Sequence, residues 1–300
     1  MCEVVVVGGY SGKHLAIRVS RELGIGYISV YTRRFPDNEL YVRVDGCVKD
    51  RIVIYINSLQ PDPSERVIET LYTLYTLRDL GAREVYAFIP YMAYARQDQR
   101  FMEGEAISIE ILAKLFRDTG VNGIYTVDMH LHRISDPRTI FGEKFHNLTA
   151  VPLLARYIME NYRLENPIIV GPDEEAVQWA RVMAEIMGTD YTVLVKKRVS
   201  DEEVVIETHG ADVCGRDVVI VDDIISTGGT MARAMEALWR LGARNVLVSC
   251  VHALLVGNAL EKIMLQKPLD MIATDTVLSP ITRVSIASLI AKTVKEEIIG

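Results

Sequence analysis

The sequence predicts an α/β fold of two doubly wound parallel sheets, one in each half of the chain. Three observations lead to this prediction. Short apolar runs rich in β-branched residues alternate with helix-period segments throughout the chain. The runs are apolar at consecutive positions, which is typical of parallel strands covered by helices on both faces. The second half of the chain also resembles the first, and 300 residues suit two domains of about 150 residues.

Nine segments are predicted to be strands because they are short, mostly apolar and bounded by glycine, proline or polar residues. In chain order they are Val4–Val7, Arg51–Ile56, Glu84–Ile89, Gly123–Val127, Pro167–Val170, Tyr191–Val195, Val218–Val221, Val246–Val251 and Met271–Thr274. Helical patterns lie between them, as the crossover connections of a parallel sheet require.

Two of the predicted helices have a clear apolar periodicity. One has an i, i+4 stripe with two apolar neighbours: Ile107, Ile111 and Leu115, beside Leu112 and Phe116. The other ends before Gly242, a natural C-cap, and its apolar residues are Met231, Met235, Leu238 and Leu241. Such stripes are typical of helices that pack one face against a core.

A segment of the first half returns in the second half. Residues 77–85 read L-R-D-L-G-A-R-E-V and residues 238–246 read L-W-R-L-G-A-R-N-V, with six identities in nine at an offset of 161. Two shorter similarities occur at comparable offsets: Val7-Gly8 with Val170-Gly171, and, more loosely, Asp128 with Asp275. Helix–glycine–strand junctions can look alike by chance, but the concordant neighbours favour a duplicated domain.

The boundary between the two copies is expected between Phe141 and Val151, where glycine, asparagine and proline interrupt the pattern. We predict an N-terminal domain over residues 1–145 and a C-terminal domain over residues 146–284. A last helical stretch, residues 285–300, follows the final predicted strand and could pack on the N-terminal domain.

Composition and charge exclude several classes of protein. Hydrophobic residues make up 49% and charged residues 24%, which excludes a disordered tail, a collagen-like repeat and a coiled coil. The net charge of −7 gives no global basic field for a nucleic acid, and no apolar run approaches the roughly 20 residues of a membrane helix. Four scattered cysteines without metal spacing, and no leader pattern after Met1, lead us to expect a cytoplasmic protein.

The most specific local pattern is V-V-I-V-D-D-I-I-S-T-G-G-T at residues 218–230. A predicted buried strand ends in Asp222 and Asp223, and a turn of small residues then leads into a helix, where open α/β sheets bind ligands. The turn could bind a phosphate through hydroxyls and backbone N–H groups of Ser226, Thr227, Gly228, Gly229 and Thr230. The two acids would repel that phosphate, so we expect them to bind sugar hydroxyls, with or without Mg²⁺. A tight junction with solvated aspartates is the alternative.

This pattern resembles the phosphate-and-ribose motif of the phosphoribosyltransferase superfamily. With the duplicated domains, the whole chain resembles the ribose-phosphate pyrophosphokinase (PRPP synthetase) family, and especially its shorter archaeal-type members. The resemblance implies two domains of the type I phosphoribosyltransferase fold. It also implies the transfer of the β,γ-diphosphoryl group of Mg-ATP to the C1 hydroxyl of ribose 5-phosphate, which gives PRPP and AMP.

Two segments of the first half resemble ATP-binding segments of this family. Residues 35–39 resemble its F-P-D-x-E hairpin, which contributes to the ATP site of a neighbouring subunit, although alone they would be a turn. Residues 94–98 resemble its Y-x-R-Q-D segment, although alone they could be a solvated loop. The resemblance implies that Phe35 stacks on adenine and that the other ATP contacts are Asp37, Asn38, Glu39, Arg96 and Gln97.

The segment D-M-H-L-H at residues 128–132 suggests a metal site. Alternate residues of a strand share a face, so the side chains of Asp128, His130 and His132 could converge, although a hydrogen-bonded core histidine explains the pattern as well. The resemblance implies that His130 binds Mg²⁺ on the ATP phosphates, and it gives His132 no role. Imidazole is an unusual ligand for Mg²⁺, which prefers oxygen.

A second Mg²⁺ ligand is implied at Asp173. It follows a predicted strand and precedes Glu174 and Glu175, and acids in a first helical turn can serve only as caps. The family carries a P-D segment at this place that includes a metal ligand. Its bacterial-type members continue with small residues, so the two glutamates leave the contacts of the diphosphate open.

Three cations, Lys196, Lys197 and Arg198, follow the predicted strand that ends at Val195. Alone they could be surface residues. They resemble the family's K-x-R on a mobile catalytic loop, which implies that Lys196 and Arg198 are catalytic and that Arg198 also lies at ribose 5-phosphate. Both charges could reach a triphosphate and neutralise the charge that develops during transfer.

The first half has no counterpart of the acid pair and the small-residue turn, since Y-I-N-S-L-Q-P stands there at residues 55–61. We therefore expect one active site per chain, with nucleotide contacts from the N-terminal domain. A shared ATP site implies at least a dimer. Two other functions stay open: a PRPP-consuming phosphoribosyltransferase, which would not need the ATP segments, and a non-catalytic regulatory subunit, which would not need the K-x-R pair.

Overall fold

The computed structural model describes residues 4–131, 134–198, 204–208 and 211–300, with the side chains of all but 196–198 and 204–206. The chain forms two compact units. Unit 1 comprises Met1–Leu148 and Ser285–Gly300, and unit 2 comprises Thr149–Val284. Each unit is built on a seven-stranded sheet.

Unit 1 contains the strands β1 (Val4–Gly8), β2 (Gly26–Arg34), β3 (Leu40–Val44), β4 (Ile52–Ile56), β5 (Glu84–Ile89), β6 (Gly123–Val127) and β7 (Phe145–Leu148). Its first helices are α1 (Lys13–Leu23), α2 (Pro63–Asp79), α3 (Ser108–Asp118) and α4 (Arg138–Phe141). The strand order is β3-β2-β1-β4-β5-β6-β7, and neighbours are parallel except β2 and β3. Strands β4 and β6 are buried along their whole length, as their mostly apolar sequences predict.

Unit 2 repeats this plan with β8 (Ile168–Gly171), β9 (Asp190–Arg198), β10 (Val204–Thr208), β11 (Asp217–Ile225), β12 (Asn245–Ala253), β13 (Met271–Thr274) and β14 (Thr282–Val284). Its helices are α5 (Val151–Asn161), α6 (Val177–Met187), α7 (Gly229–Arg240) and α8 (Ala259–Met264), with a 3₁₀ turn at Glu174–Ala176. The order β10-β9-β8-β11-β12-β13-β14 matches unit 1 strand for strand, and again only the pair β9 and β10 is antiparallel in the described sheet. The predicted duplication and doubly wound fold class are confirmed.

The chain returns to unit 1 after β14. Helix α9 (Ala287–Thr293), continued by a π-helical segment over Val294–Ile299, packs against α1. Its inward residues, among them Ile290 and Val294, are fully buried. None of the helices in the described part of the chain has the length and apolar composition needed to cross a membrane.

The two periodic helices differ in how well their stripes predict burial. In α7, Met231, Met235 and Leu238 are buried, and Gly242 follows the helix with a left-handed φ of +84°, as predicted. In α3 the prediction is partly wrong, because Ile111 and Leu115 are 54% and 40% exposed. The buried face of α3 instead consists of Ile109, Leu112, Ala113 and Phe116.

Candidate active site

The strand order of unit 2 places a crevice between β8 and β11. Chain connections leave the sheet in opposite directions from these two strands, and ligands of open α/β sheets bind at the carboxyl ends of such strands. Strand β8 ends at Gly171, whereas β11 continues beside β12 as far as Ile225. The carboxyl end of β11, with the acid pair and the small-residue turn, therefore extends past the end of β8.

Three carboxylates lie at this crevice. Asp223 is buried, and its N–H donates to Oδ1 of the half-buried Asp222 at 3.0 Å. Asp173 follows β8 and begins the 3₁₀ turn, where its Oδ1 accepts from the N–H of Glu175 at 3.1 Å. Asp173 thus caps a turn, which is the alternative role that the sequence left open for it. Its other carboxylate oxygen, Oδ2, can still accept hydrogen bonds or bind a cation.

The ionisation of Asp222 and of Asp173 is disfavoured at this crevice. Burial raises the pKa of Asp222 well above its usual range, and the charges of Asp223 and Asp173 raise it further. Burial also raises the pKa of Asp173, with the charges of Glu175 and, less strongly, Asp223 acting in the same direction. Hydroxyl donors or a cation bound between these groups would relieve this repulsion.

The turn that follows is shaped by Gly228. Its φ of +74° is left-handed, and a Cβ atom placed there would lie 2.8 Å from the carbonyl oxygen of Ala259. Only glycine fits this conformation and this space. Helix α7 begins at the next residue, so the positive end of its dipole faces the turn, while the side chains of Thr227 and Thr230 are exposed. The turn is therefore suited to an anion.

Two cations that the sequence analysis did not single out lie beside this turn. Nζ of Lys262, on α8, donates to the carbonyl of Thr227 at 3.4 Å. A Cβ atom placed on Gly229 would lie 3.6 Å from Nη1 of Arg233, on the second turn of α7. The i+4 spacing of Arg233 from Gly229 could have indicated the second contact, whereas the first depends on tertiary structure.

The segment that contains Lys196 and Arg198 is the last part of β9, whereas the sequence predicted that it follows the strand. Lys196 and Arg198 are paired in register with Ile206 and Val204 of β10, so the predicted end of this strand at Val195 is too early. The backbone of Lys196 and Arg198 belongs to the described structure and their side chains lie outside it.

In unit 1 the F-P-D-N-E segment forms the tip of the β2–β3 hairpin. The Phe35 N–H donates to the Glu39 carbonyl at 2.9 Å, the Glu39 N–H donates to Oδ1 of Asp37 at 3.2 Å, and Asn38 has a φ of +70°. All of these side chains are exposed. The guanidinium of Arg33, which the sequence analysis missed, lies 4.3 Å from the ring centre of Phe35. The hairpin thus presents an aromatic ring and two carboxylates to solvent.

The other two unit 1 segments follow β5 and β6. Arg96 is exposed in the loop after β5, and Oε1 of Gln97 accepts from the Ser108 hydroxyl at 2.7 Å. His130 is half-buried, but β6 ends at Val127 and Asp128 has a left-handed φ of +38°. The strand alternation expected to bring Asp128 and His130 together is therefore absent, and His132 lies outside the described residues. Within the described part of the chain, no three His, Cys, Asp or Glu side chains form a metal-binding cluster.

The crevice of unit 1 differs from that of unit 2 because its own side chains fill it. The repeat at an offset of 161 aligns Phe88 with Ser249. Phe88 pairs with Ile56 in its sheet, and Ser249 pairs with Val221. The residues that follow these two partners, Asn57 and Asp222, therefore occupy equivalent positions. Oδ1 of Asn57 accepts from the N–H groups at the start of α1, at 3.0 and 3.1 Å, and its Nδ2 donates to a threonine hydroxyl at 3.1 Å. The residues in these contacts are Ser11, Gly12 and Thr70.

A buried ion pair completes the filling of this crevice. Glu69 accepts from the N–H of Tyr10 at 2.7 Å and from the guanidinium of the buried Arg66. A Cβ atom on Gly9 would lie only 2.4 Å from Cγ of Asn57, so the loop after β1 rests directly on the amide. The N–H groups that could bind an anion in unit 1 are thus hydrogen-bonded within the protein.

Comparisons with known proteins agree with this division into two copies. A family model described as the N-terminal domain of ribose phosphate pyrophosphokinase matches residues 4–120, and one described as a phosphoribosyl transferase domain matches residues 146–277. A ribose-phosphate pyrophosphokinase of Methanopyrus kandleri is 39% identical, with 97% of this chain and 99% of the relative covered. One of Methanothermobacter thermautotrophicus is 38% identical, with 97% and 100% covered.

A solved structure gives the same result for the fold. The phosphoribosylpyrophosphate synthetase of Mycobacterium smegmatis matches with a TM-score of 0.86 and 28% identity, covering 98% of each chain. The identity to the archaeal relatives over nearly the whole chain, the duplicated sheets and the acid pair before the small-residue turn lead to one conclusion. The chain belongs to the ribose-phosphate pyrophosphokinase family.

Proposed function

We propose that this chain transfers the β,γ-diphosphoryl group of Mg-ATP to the C1 hydroxyl of ribose 5-phosphate, giving PRPP and AMP. The observation that carries the proposal is the pairing of carboxylates with an anion-binding turn at the unit 2 crevice. Ribose 5-phosphate has hydroxyls at one end and a phosphate at the other, so it matches both features. A simple anion without hydroxyl groups would not match the crevice, because the carboxylates would repel it.

The ribose 5-phosphate contacts follow from this match. Asp222 and Asp223 accept hydrogen bonds from the ribose 2- and 3-hydroxyls, which are charge-assisted and therefore strong. The 5-phosphate binds to N–H groups and hydroxyls of the turn, namely Ser226, Thr227, Gly228, Gly229 and Thr230. The left-handed backbone of Gly228 and the start of α7 at the next residue support this assignment.

We assign the nucleotide contacts to unit 1. Phe35 stacks on adenine, with Arg33 already on its ring, and Asp37, Asn38 and Glu39 lie nearby at the hairpin tip. Arg96 presents a guanidinium fork to phosphate oxygens, and Gln97 reads the base or ribose. An exposed hairpin of this kind is suited to complete the ATP site of a neighbouring subunit, so we propose a homo-oligomer of at least two chains.

The donors at the unit 2 crevice fit Mg²⁺. Asp173 is a hard oxygen ligand, and the raised pKa values of Asp173 and Asp222 indicate negative charge that a cation would offset. Mg²⁺ in proteins keeps few protein ligands and binds substrate phosphates, which agrees with single protein ligands, Asp173 in unit 2 and His130 in unit 1, rather than a closed cage. When bound, the ion supplies charge neutralisation and orientation of the triphosphate.

The transfer itself needs positioning more than covalent chemistry. The C1 hydroxyl attacks the β-phosphorus of ATP in line, and AMP leaves from the opposite side. Lys196 and Arg198 neutralise the charge that develops on the transferred group, and Arg198 also contacts ribose 5-phosphate. The backbone of β9 includes both residues, two positions apart.

The proposal is tested by phosphorus NMR of the purified protein with ATP, ribose 5-phosphate and Mg²⁺. AMP and a new diphosphate ester at C1 are expected, and the Lys196→Ala variant should form both about a hundredfold more slowly. Formation of ADP would mean an ordinary kinase. Binding of both substrates without turnover would instead identify a regulatory subunit, and turnover of PRPP with a base would identify a phosphoribosyltransferase.

The filled crevice of unit 1 gives a prediction about Asn57. Replacing it by alanine removes the acceptor of two N–H groups in the fold, and we expect a loss of about 3 kcal/mol of stability. The KM for ribose 5-phosphate should stay within twofold, because unit 1 binds no sugar phosphate. Urea unfolding and steady-state kinetics measure the two quantities. A KM that rises tenfold in a folded variant would show that unit 1 takes part in sugar binding.

A further inference from the structure

The outer side of the anion-binding turn is hydrogen-bonded to one segment, residues 254–262, which we call the brace. The N–H groups of Leu254 and Leu255 both donate to the carbonyl of Ile225, at 3.0 and 3.1 Å. The next N–H of the brace, from Val256, donates to the carbonyl of Ser226 at 2.9 Å. The third consecutive carbonyl, that of Thr227, accepts from Nζ of Lys262 at 3.4 Å. The brace thus donates to three carbonyls in a row.

These bonds decide which way the N–H groups of the turn point. In a trans peptide the C=O of one residue and the N–H of the next point in opposite directions. Carbonyls that face the brace therefore direct the N–H groups of Ser226, Thr227 and Gly228 away from it. Successive N–H groups that point to one side form a concave anion site.

The third peptide differs from the other two. Backbone donors hold the first two carbonyls, whereas a side chain, that of Lys262, holds the carbonyl of Thr227. The peptide between Thr227 and Gly228 is also the easiest of the three to rotate, because glycine permits both signs of φ. A rotation of this peptide would turn the Gly228 N–H away from a bound anion and present a carbonyl oxygen to it.

We infer that Lys262 is a positioning residue for the 5-phosphate of ribose 5-phosphate: its ammonium holds the Thr227 carbonyl and so keeps the Gly228 N–H directed at the phosphate. The inference rests on the function proposed above. It concerns a residue outside the acid pair and the small-residue turn. Lys262 reaches the turn because Ala259, one helical turn earlier on α8, contacts Gly228 through its backbone.

The test compares Lys262→Met with Lys262→Arg and with Lys267→Met. Lys267 is an exposed lysine three residues beyond the end of α8, so its replacement changes the net charge equally. We expect Lys262→Met to raise the KM for ribose 5-phosphate about tenfold, with kcat and the KM for ATP within twofold. Lys262→Arg should restore the KM to within threefold, and Lys267→Met should not change it.

Calorimetric titration of ribose 5-phosphate without ATP separates this inference from the proposed function. If the wild type binds ribose 5-phosphate but forms no PRPP, the proposed function is wrong, while the dissociation constants of the variants still decide the role of Lys262. An unchanged dissociation constant in Lys262→Met overturns the inference, as does an equal loss in Lys267→Met. Failure of the wild type to bind ribose 5-phosphate overturns both.

Discussion

Replacing Gly228 by alanine is expected to lower kcat/KM for ribose 5-phosphate about a thousandfold. The added Cβ would lie 2.8 Å from the carbonyl oxygen of Ala259 and 3.1 Å from its Cα, and these backbone atoms cannot rotate away. The turn must therefore shift, and its N–H groups lose their alignment with the phosphate. Two lost hydrogen bonds to a charged group cost about 4 kcal/mol, which corresponds to a thousandfold effect.

Gly188 provides the matched control for this prediction. It follows α6 with a φ of +65°, close to that of Gly228, but no atom lies within 4 Å of the position of its Cβ. Gly188→Ala should cost about 1 kcal/mol of stability for the left-handed backbone and leave the kinetics unchanged. Steady-state kinetics and thermal unfolding of both variants make the comparison. If Gly228→Ala keeps its KM for ribose 5-phosphate within threefold, the phosphate does not bind at this turn.

Replacing Asp222 by asparagine is expected to have opposite effects on activity and stability. The neutral amide loses the charge-assisted bonds to the ribose hydroxyls, so kcat/KM for ribose 5-phosphate should fall several hundredfold. The amide also removes one of three mutually repelling carboxylates, so Tm at pH 8 in EDTA should rise by roughly 3 °C. Lower activity together with lower Tm would show that Asp222 has a structural role.

The rise in Tm should depend on pH in a defined direction. The pKa of Asp222 is raised in the folded protein, so its ionised form is the less stable one in the fold. Its contribution to stability is fully present below the unfolded pKa of about 3.9 and is lost as the pH rises through the raised pKa. The Tm difference between Asp222→Asn and wild type should therefore grow from acid to alkaline pH and then level off.

Asp118→Asn is the control for the change in charge. Asp118 is exposed at the end of α3 in unit 1, so its replacement alters the net charge without touching the crevice. Its Tm difference from the wild type should stay close to zero from pH 4 to pH 8. A pH-dependent difference in this variant as well would assign the effect to net charge and not to the crevice.

The fold class could be predicted because the buried parallel strands are mostly apolar at consecutive positions. All nine predicted strands are present, and their ends differ from the prediction by a few residues at most. The strands that were missed are β2, β3, β7, β10 and β14. Four of these five are sheet edges, where one side of the strand faces solvent and polar residues are allowed. An apolar run is not required there, so a search for apolar runs fails to find them.

The geometry of the candidate site was predictable where the candidate residues belong to one continuous segment. The acid pair, the turn and the start of α7 are adjacent in sequence, so their meeting follows from local structure. Lys262 and Arg33 were missed because nothing in their own neighbourhood indicates what they contact. The expected strand alternation of Asp128 and His130 was wrong for a related reason, since the sequence does not show that the strand stops at Val127.

The stripe on α3 shows the limit of periodicity. Ile111 and Leu115 are apolar and regularly spaced, yet they are exposed in the single chain, while the neighbouring Leu112 is buried. Regular spacing shows that residues share a helix face, but it does not show what covers that face. The family was recognisable in spite of this, because the motifs that carry the resemblance, such as the acid pair and the small-residue turn, do not depend on helix periodicity.

The division of unit 1 into two separate stretches of sequence has a consequence for synthesis. Unit 2 is continuous, so all of its residues have left the ribosome once Val284 has emerged. At that moment α1 still lacks α9, and the apolar surface that Ile290 and Val294 will cover is open to water. A nascent chain that has emerged only as far as Val284 therefore has a complete unit 2 and an incomplete unit 1. Until residues 285–300 emerge, the uncovered apolar surface of unit 1 is accessible to chaperones and proteases.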